Sequence, residues 1–415
     1  YPRKPYLESA FDDYYKTLRL SNSLNLNGQI SGDYYINAMA AYTDFKRTKN
    51  TFYKDLTTLE QIAASEPGGQ DTSIFRNFLS RSSVSTTRTE SKINYELGYD
   101  INHETAVGIR IKDSKQQIGD YAIFGSAEYK PVKKLLIRPG LRLMYNTGYK
   151  APPVPSINVK YQLFNHLSLR VSYARGFRSP SLKELYFYFV DVNHFIAGNP
   201  DLRAEYSHNL NLSTSYTKRF PKFTFKNDNS IFYNRIENMI TLAQSSSTQF
   251  SYFNLDKHQT LGIQTNMEWS THSFSINTGA LYTGRYNHLA GIPSSNEFTF
   301  SPELRCNATY RWEKAKTSLN LFYKYTGALP TFLIGANNQV IKSQIQAYHM
   351  ADISISRRLI GNHLKLTIGC KNLFNVRSVT GVASGDSHTA VQNAVAIGMG
   401  RIYFLKLDIQ LDTKE

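Results

Sequence analysis

The 415 residues contain no run of eighteen or so consecutive apolar side chains, so a transmembrane helix cannot be built from them. That excludes only the helical way across a bilayer. Cysteine is nearly missing: Cys306 and Cys370 are the only two, neither lies in a CxxC spacing, and no metal-ligand cluster surrounds them. They mark neither a zinc site nor a redox compartment. Enzyme signatures are missing as well, with no HExxH, GxSxG, P-loop or strand-borne GxGxxG, and GVASG at 381–385 misplaces the serine of a nucleophile elbow. The expected molecule is not an enzyme. Residues 1–20 hold Asp12, Asp13 and several basic side chains but no apolar h-region, so a leader is expected to have been removed or to lie upstream.

Acidic residues are scarce beside basic ones, 32 against 48, which leaves a formal net charge of +16. The placement of the cations decides what that charge is for. They gather in short turns: Lys130, Lys133 and Lys134; Lys218, Arg219 and Lys222; Arg311, Lys314 and Lys316; Arg357 and Arg358. Turns that recur with strands on both sides collect at one end of a fold. A rim of cations suits anionic phospholipid headgroups better than a nucleic-acid duplex, so lipids are expected as partners and nucleic acid is not.

What the chain does have is aromatic side chains, 13% of the total, with a mean hydropathy of −0.41. Rings and polarity coexist when every apolar residue is spent on one face of a strand, as in a transmembrane barrel. Leu364, Leu366, Ile368 and Cys370 oppose Lys365, Thr367, Gly369 and Lys371. Near the end, Tyr403, Leu405, Leu407, Ile409 and Leu411 oppose Lys406, Asp408 and Gln410. Several such runs exceed ten residues, too long for the strands of a soluble sandwich. Short turns fall near Pro131, Asn165, Pro221, Thr271, Glu313 and Gly361. Between them lie long connections around 149–156, 177–203, 239–253, 286–297, 327–344 and 375–398. Short turns at one end and long loops at the other predict an all-β transmembrane antiparallel barrel, of about seventeen strands from Leu18 onward. Intact bacterial barrels have even strand numbers, so the odd count predicts further strands upstream.

The segment Tyr173 to Glu205 is the longest connection with a distinct composition. Leu167, Leu169, Val171 and Tyr173 alternate with polar neighbours before it, as Leu210, Leu212, Thr214 and Tyr216 do after it. Its tyrosines and phenylalanines are too many for a disordered linker, so an ordered, ligand-holding loop is expected. Proline and asparagine at Pro180, Asn199 and Pro200 supply turn chemistry, which makes these positions candidate brackets around the loop.

The motifs of this segment are FRSP at 177–180, SLKELY at 181–186 and NPDL at 199–202; elsewhere stand DDYY at 12–15, QDTSIF at 70–75, KNLFN at 371–375 and GRIYFLKL at 400–407. With them the chain resembles the TonB-dependent outer-membrane receptors, especially those of the Bacteroides group. The resemblance implies a barrel of about twenty-two strands around an N-terminal plug, with residues 1–415 as its C-terminal portion and the plug, TonB box and first strands absent from them. It implies residence in the outer membrane of a Gram-negative bacterium, energy from a TonB–ExbB–ExbD complex reached through the N-terminal region, and a surface lipoprotein as a further partner. It also implies capture of a scarce bulky nutrient, haem or another iron complex, with cobalamin as the alternative and a passive porin as the second. No permanent cofactor is expected. FRSP and NPDL flanking a histidine are similar to the boxes of haem receptors, although Ser179 and Asp201 depart from them. On that likeness His194 is the axial iron ligand, Tyr186, Tyr188, Phe189 and Phe195 line the ligand, Arg178 or Arg203 pairs its carboxylates, and Phe177, Pro180, Asn199 and Pro200 are the motif brackets.

Overall fold

The structure, a computed structural model, describes residues 9–65, 69–88, 90–190, 195–244, 249–288, 298–334, 340–360, 363–383 and 392–410. Its first strands are β1 (Ser9–Ser31), β2 (Tyr34–Asp55), β3 (Gln61–Ala63), β4 (Gln70–Thr86), β5 (Ile93–Val107), β6 (Lys115–Val132), β7 (Leu135–Asn146), β8 (Val154–Phe164) and β9 (Leu167–Arg178). One short helix, α1 (Leu182–Tyr186), precedes β10 (Tyr188–Val190) and β11 (Phe195–Ala197). Then come β12 (Glu205–Arg219), β13 (Thr224–Gln244), β14 (Gln249–Ser270), β15 (Phe274–His288), β16 (Thr299–Trp312) and β17 (Thr317–Thr326). The last are β18 (Leu329–Ile334), β19 (Val340–Ile345), β20 (Tyr348–Leu359), β21 (Leu364–Lys371), β22 (Ser378–Ala383), β23 (Gln392–Ala396) and β24 (Ile402–Ile409).

Twenty of these strands form one sheet. The three short members β3, β10 and β11 are additions at its loop end, leaving an antiparallel meander of seventeen long strands, the number expected from the alternation. Each strand pairs with its chain neighbour, from β1 with β2 through β21 with β24. Among the described residues no pairing joins β1 to β24, so the sheet is open here. The short turns all fall at one end, at 32–33, 133–134, 165–166, 220–223 and 271–273 among others, while the long connections fall at the other.

Two expected connections are shorter than the sequence suggested. The segments at 239–253 and 286–297 begin inside strands, because β13 runs to Gln244, β14 starts at Gln249 and β15 runs to His288. Above the membrane both strand faces meet water, so the apolar alternation fades although the ladder continues. The connections at 327–344 and 375–398 carry β18 and β19, and β22 and β23, which pair as a separate four-stranded sheet. Those four strands were not legible as strands.

Residues directly opposite in an antiparallel ladder share a face. Leu212, Ile231, Ile263 and Tyr282 therefore form one row across β12 to β15, and all are exposed. Leu319, Ile355 and Ile368 form another across β17 to β21, and are exposed as well. A soluble sheet would cover such rows; a barrel wall turns them to lipid. Polar side chains on that wall satisfy one another: Asn229 donates to Thr214 at 3.2 Å and to Asn227 at 2.6 Å, and Thr265 donates to Asn229 at 2.8 Å. Hydrocarbon offers them no other partner. Near the turns, Phe164, His166, Tyr216 and Phe225 make successive ring contacts at 5.8, 5.1 and 6.1 Å, as expected of an aromatic girdle.

The opposite face is polar. Asp100 lies between Arg81 and Arg142, accepting from Arg81 Nε and Arg142 Nη1 at 3.1 Å each, and Arg138 meets Glu96 at 2.7 Å. A lumen-facing wall has no apolar core of its own. Among the described residues the buried apolar cluster sits at the loop end, formed by Ala106, Ile111, Ile118, Leu182, Leu185, Leu202 and Ile240.

Candidate functional site

That cluster is made by the 177–205 connection folding inward. Ala106 on β5, Ile118 on β6 and Ile240 on β13 all point to the lumen side, since their odd-numbered neighbours Tyr99, Tyr121 and Ile231 are exposed on the lipid side. Four strands, β7, β8, β9 and β12, separate β6 from β13. The connection therefore bridges across the mouth of the lumen, with Leu182 and Leu185 at 4% and 2% exposure as its inward anchors. Phe75, Tyr149, Tyr186, Phe187 and Tyr252 pack around them.

Local sequence explains the helix. Ser181 caps it: its hydroxyl accepts from the Glu184 N–H at 3.3 Å while the Glu184 carboxylate accepts from the Ser181 N–H at 2.7 Å, a reciprocal capping box. Pro180 just before it is fully buried and fixes the exit from β9. At the far side Asn199 binds its turn, with Oδ1 accepting from the Asp201 N–H at 2.9 Å and Nδ2 donating to the Tyr252 carbonyl at 2.9 Å. Pro200 is exposed in the turn itself. Phe177 packs on Tyr206 with ring centroids 5.6 Å apart.

Arg178 ties the two ends of the connection together. Its Nε and Nη2 donate to the two oxygens of Glu205 at 2.7 and 2.6 Å, and Nη1 donates to Glu184 at 2.9 Å. Glu205 in turn accepts from the Ile240 N–H at 2.7 Å, which fastens the clamp to β13. The fork of Arg178 thus takes both glutamates of the connection. Burial opposes ionisation of Glu184, but the Arg178 guanidinium and the Ser181 donors outweigh it and hold its carboxyl below the usual range.

The remaining candidates are distributed around this clamp. Tyr186 packs against the apolar cluster. The Tyr188 hydroxyl donates to the Ile109 carbonyl at 3.2 Å and its N–H to the Arg110 carbonyl at 3.1 Å. Phe189 and Phe195 occupy the paired strands β10 and β11, where Val190 stands opposite Phe195. Arg203 faces out, 59% exposed, with Asp256 at 3.1 Å. His194 lies outside the described residues.

Sequence reasoning missed several members of the site. Tyr149, from the β7–β8 connection, donates its hydroxyl to the Leu202 carbonyl at 3.0 Å, and burial, with Tyr186 and Glu184 nearby, pushes its phenol up to about 12. Arg110 and Asp71 form a pair 3.4 Å apart with both side chains buried, and the Ser73 hydroxyl donates to Asp71 at 2.8 Å. Phe45, Phe75 and Phe187 follow one another at ring separations of 6.1 and 6.0 Å along the lumen side. Gly198 lets the backbones touch, because a Cβ there would stand 2.8 Å from the Leu185 carbonyl. Only Gly198, adjoining the NPDL motif, carried a local signal.

A membrane-type meander, a polar lumen wall and a connection folded over its mouth agree with a family match covering residues 1–373, described as TonB dependent receptor-like, beta-barrel. The chain belongs to that family. Solved structures of similar fold include the siderophore receptor PirA from Pseudomonas aeruginosa, at 14% identity and a TM-score of 0.63, covering 96% of this chain and 73% of that one. A ferric enterobactin receptor (PfeA) mutant from the same organism matches at 15% identity and a TM-score of 0.67, covering 95% of this chain and 62% of that one. The FrpB iron transporter from Neisseria meningitidis (F3-3 variant) matches at 13% identity and a TM-score of 0.66, covering 95% and 63%. This chain thus spans less than two thirds of the PfeA and FrpB structures. No curated protein matches it in sequence. The family is one of outer-membrane receptors, and its described mouth holds no group of three or more metal-ligand side chains among the described residues.

Proposed function

We propose that this chain is the C-terminal portion of the barrel of an outer-membrane receptor that takes up a scarce, bulky iron complex, with haem as the specific ligand. The observation that carries the reading is the inward-folded 177–205 connection, whose apolar anchors and Arg178 clamp hold aromatic side chains over the polar face of the sheet. A passive pore has no use for such a closure. The similar structures are those of two siderophore receptors and an iron transporter, which supports the iron-complex class. Uptake would draw its energy from the TonB complex, which is the partnership the family's name carries.

In this reading His194 supplies the axial nitrogen, Tyr186, Tyr188, Phe189 and Phe195 cover the porphyrin, and Arg203 meets a propionate. Arg178 is the weaker choice for a propionate, since its fork already spans two carboxylates. Titrating the full-length protein with haem, ferric siderophores and cobalamin separates the ligands. Haem binding with a Soret band that shifts in His194→Ala supports the axial role; an unshifted band removes it. Tight binding of a siderophore or cobalamin with no haem binding replaces haem as the ligand.

A further inference from the structure

On the lipid-facing wall, one row carries two arginines directly above a row of tyrosines and leucines. Arg175 on β9, His208 on β12, Arg235 on β13 and Gln259 on β14 stand directly opposite one another in successive ladders. The row beneath them on the same face is Tyr173, Leu210, Tyr233 and Leu261. Two of its hydroxyls reach up into the charged row: Tyr173 lies 2.9 Å from His208 Nδ1, and Tyr233 donates to Gln259 Oε1 at 2.9 Å. Among the described residues, the carboxylate in contact with the row is that of Glu237, 2.5 Å from Arg235 Nη2. Arg175 has no acidic partner, and the Nε atoms of Arg175 and Arg235 have no acceptor among the described residues.

The height of this row is set by the strand. Arg235 is ten residues beyond Phe225, the girdle residue at the turn end. At about 3.4 Å per residue and a tilt near 40°, that is roughly 26 Å along the membrane normal, close to the ~25 Å of an outer-membrane apolar band. The row therefore lies where the acyl chains of the loop-side leaflet end and headgroups begin. Two guanidinium groups about 10 Å apart, on the two strands that flank β12, repel each other unless an anion lies between them.

We infer that Arg175 and Arg235, with His208 and the two tyrosine hydroxyls beside them, bind the phosphate of a phosphorylated lipid headgroup in that leaflet. The inference rests on the outer-membrane reading above. Guanidinium forks suit phosphate oxygens, while Tyr173 and Tyr233 present rings to the acyl side and hydroxyls to the headgroup side. A free phosphate shares the chemistry but not the apolar surface below.

The test places the full chain in phosphatidylcholine nanodiscs containing either diphosphorylated lipid A or the same lipid stripped of phosphate, re-isolates it in detergent and measures lipid retained per chain by mass spectrometry. Retention of the phosphorylated form should exceed the other by about tenfold or more, and Arg175→Gln combined with Arg235→Gln should abolish that preference. Lys133→Gln with Lys134→Gln, at the opposite rim, should leave it intact. Equal retention of the two lipids, or an unchanged preference in the double arginine variant, overturns the site. Complete displacement of the lipid by equimolar inorganic phosphate overturns the lipid assignment in favour of a free-anion site. If the arginine variant does not fold, the two-lipid comparison on the unaltered chain decides alone. A chain that stays protease-accessible along its whole length and never enters the bilayer overturns the outer-membrane reading, and this site with it.

Discussion

Replacing Leu185 with alanine should release the 177–205 connection without loosening the barrel. Leu185 is 2% exposed and packs in the cluster with Leu182, Leu202, Ile111 and Ile240. Three buried carbons are lost, about 2.4 kcal/mol of transfer free energy at ~0.8 kcal/mol each. A residual cavity of about 50 Å³ adds roughly 1 kcal/mol at ~24 cal/mol per Å³. The sum, about 3.5 kcal/mol, multiplies the population of the opened connection by roughly 400. Hydrogen exchange reads it amide by amide, because four N–H groups close the connection: Leu185 to Ser181, Tyr188 to Arg110, Gly198 to Phe187 and Asn199 to Glu184. These four should exchange some hundredfold faster, while amides of β20 and β21, on another part of the sheet, keep their rates. Unchanged exchange at the four would refute the anchoring role of Leu185, and equal acceleration in β20 would refute the independence of the connection from the barrel.

Arg178→Met leaves Glu184 and Glu205 facing each other without their cation. Because the guanidinium is 45% exposed, screening limits the loss, and about a tenfold rise in tryptic cleavage at Lys183 is expected. Glu184→Gln should raise cleavage less, since the Arg178–Glu205 fork remains. Acid should act through the same carboxylate: its folded value is depressed, so its contribution is complete above the ordinary glutamate range and is lost as pH falls through the depressed value. Proteolysis with a protease active in acid should therefore be flat from pH 7 to about 5 and rise below it; a rise above pH 6 would point to a different group. Gly198→Ala should force the Leu185 carbonyl away and shift the exchange of the Gly198 and Asn199 amides, whereas unchanged amides would show the close approach to be dispensable.

The alternation of β21, with Leu366 and Ile368 out and Lys365 and Thr367 in, was readable because one face of that strand meets lipid along its length. The same held for the seventeen long strands and for the single end that gathers their short turns. The upper parts of β13 and β14 were not readable, because above the bilayer water wets both faces and the period of two carries no apolar signal. For the candidate site, Pro180, Asn199 and Pro200 were legible as turn chemistry bracketing the connection, while the Ser181–Glu184 cap, although just as local, emerged with the helix it closes.

Composition and patterning set the class of molecule: without long apolar runs and with period-two alternation, the chain could cross a membrane only as a sheet. Tertiary structure alone decided that the 177–205 connection turns inward, that Arg178 rather than Arg203 receives Glu184 and Glu205, and that Tyr149, Ile118 and Ile240 belong to the same site. The reason is physical. Alternation is a local property of a strand meeting lipid, whereas the mouth is assembled from residues as far apart in sequence as Phe75 and Tyr252, whose proximity exists only once the sheet has curved.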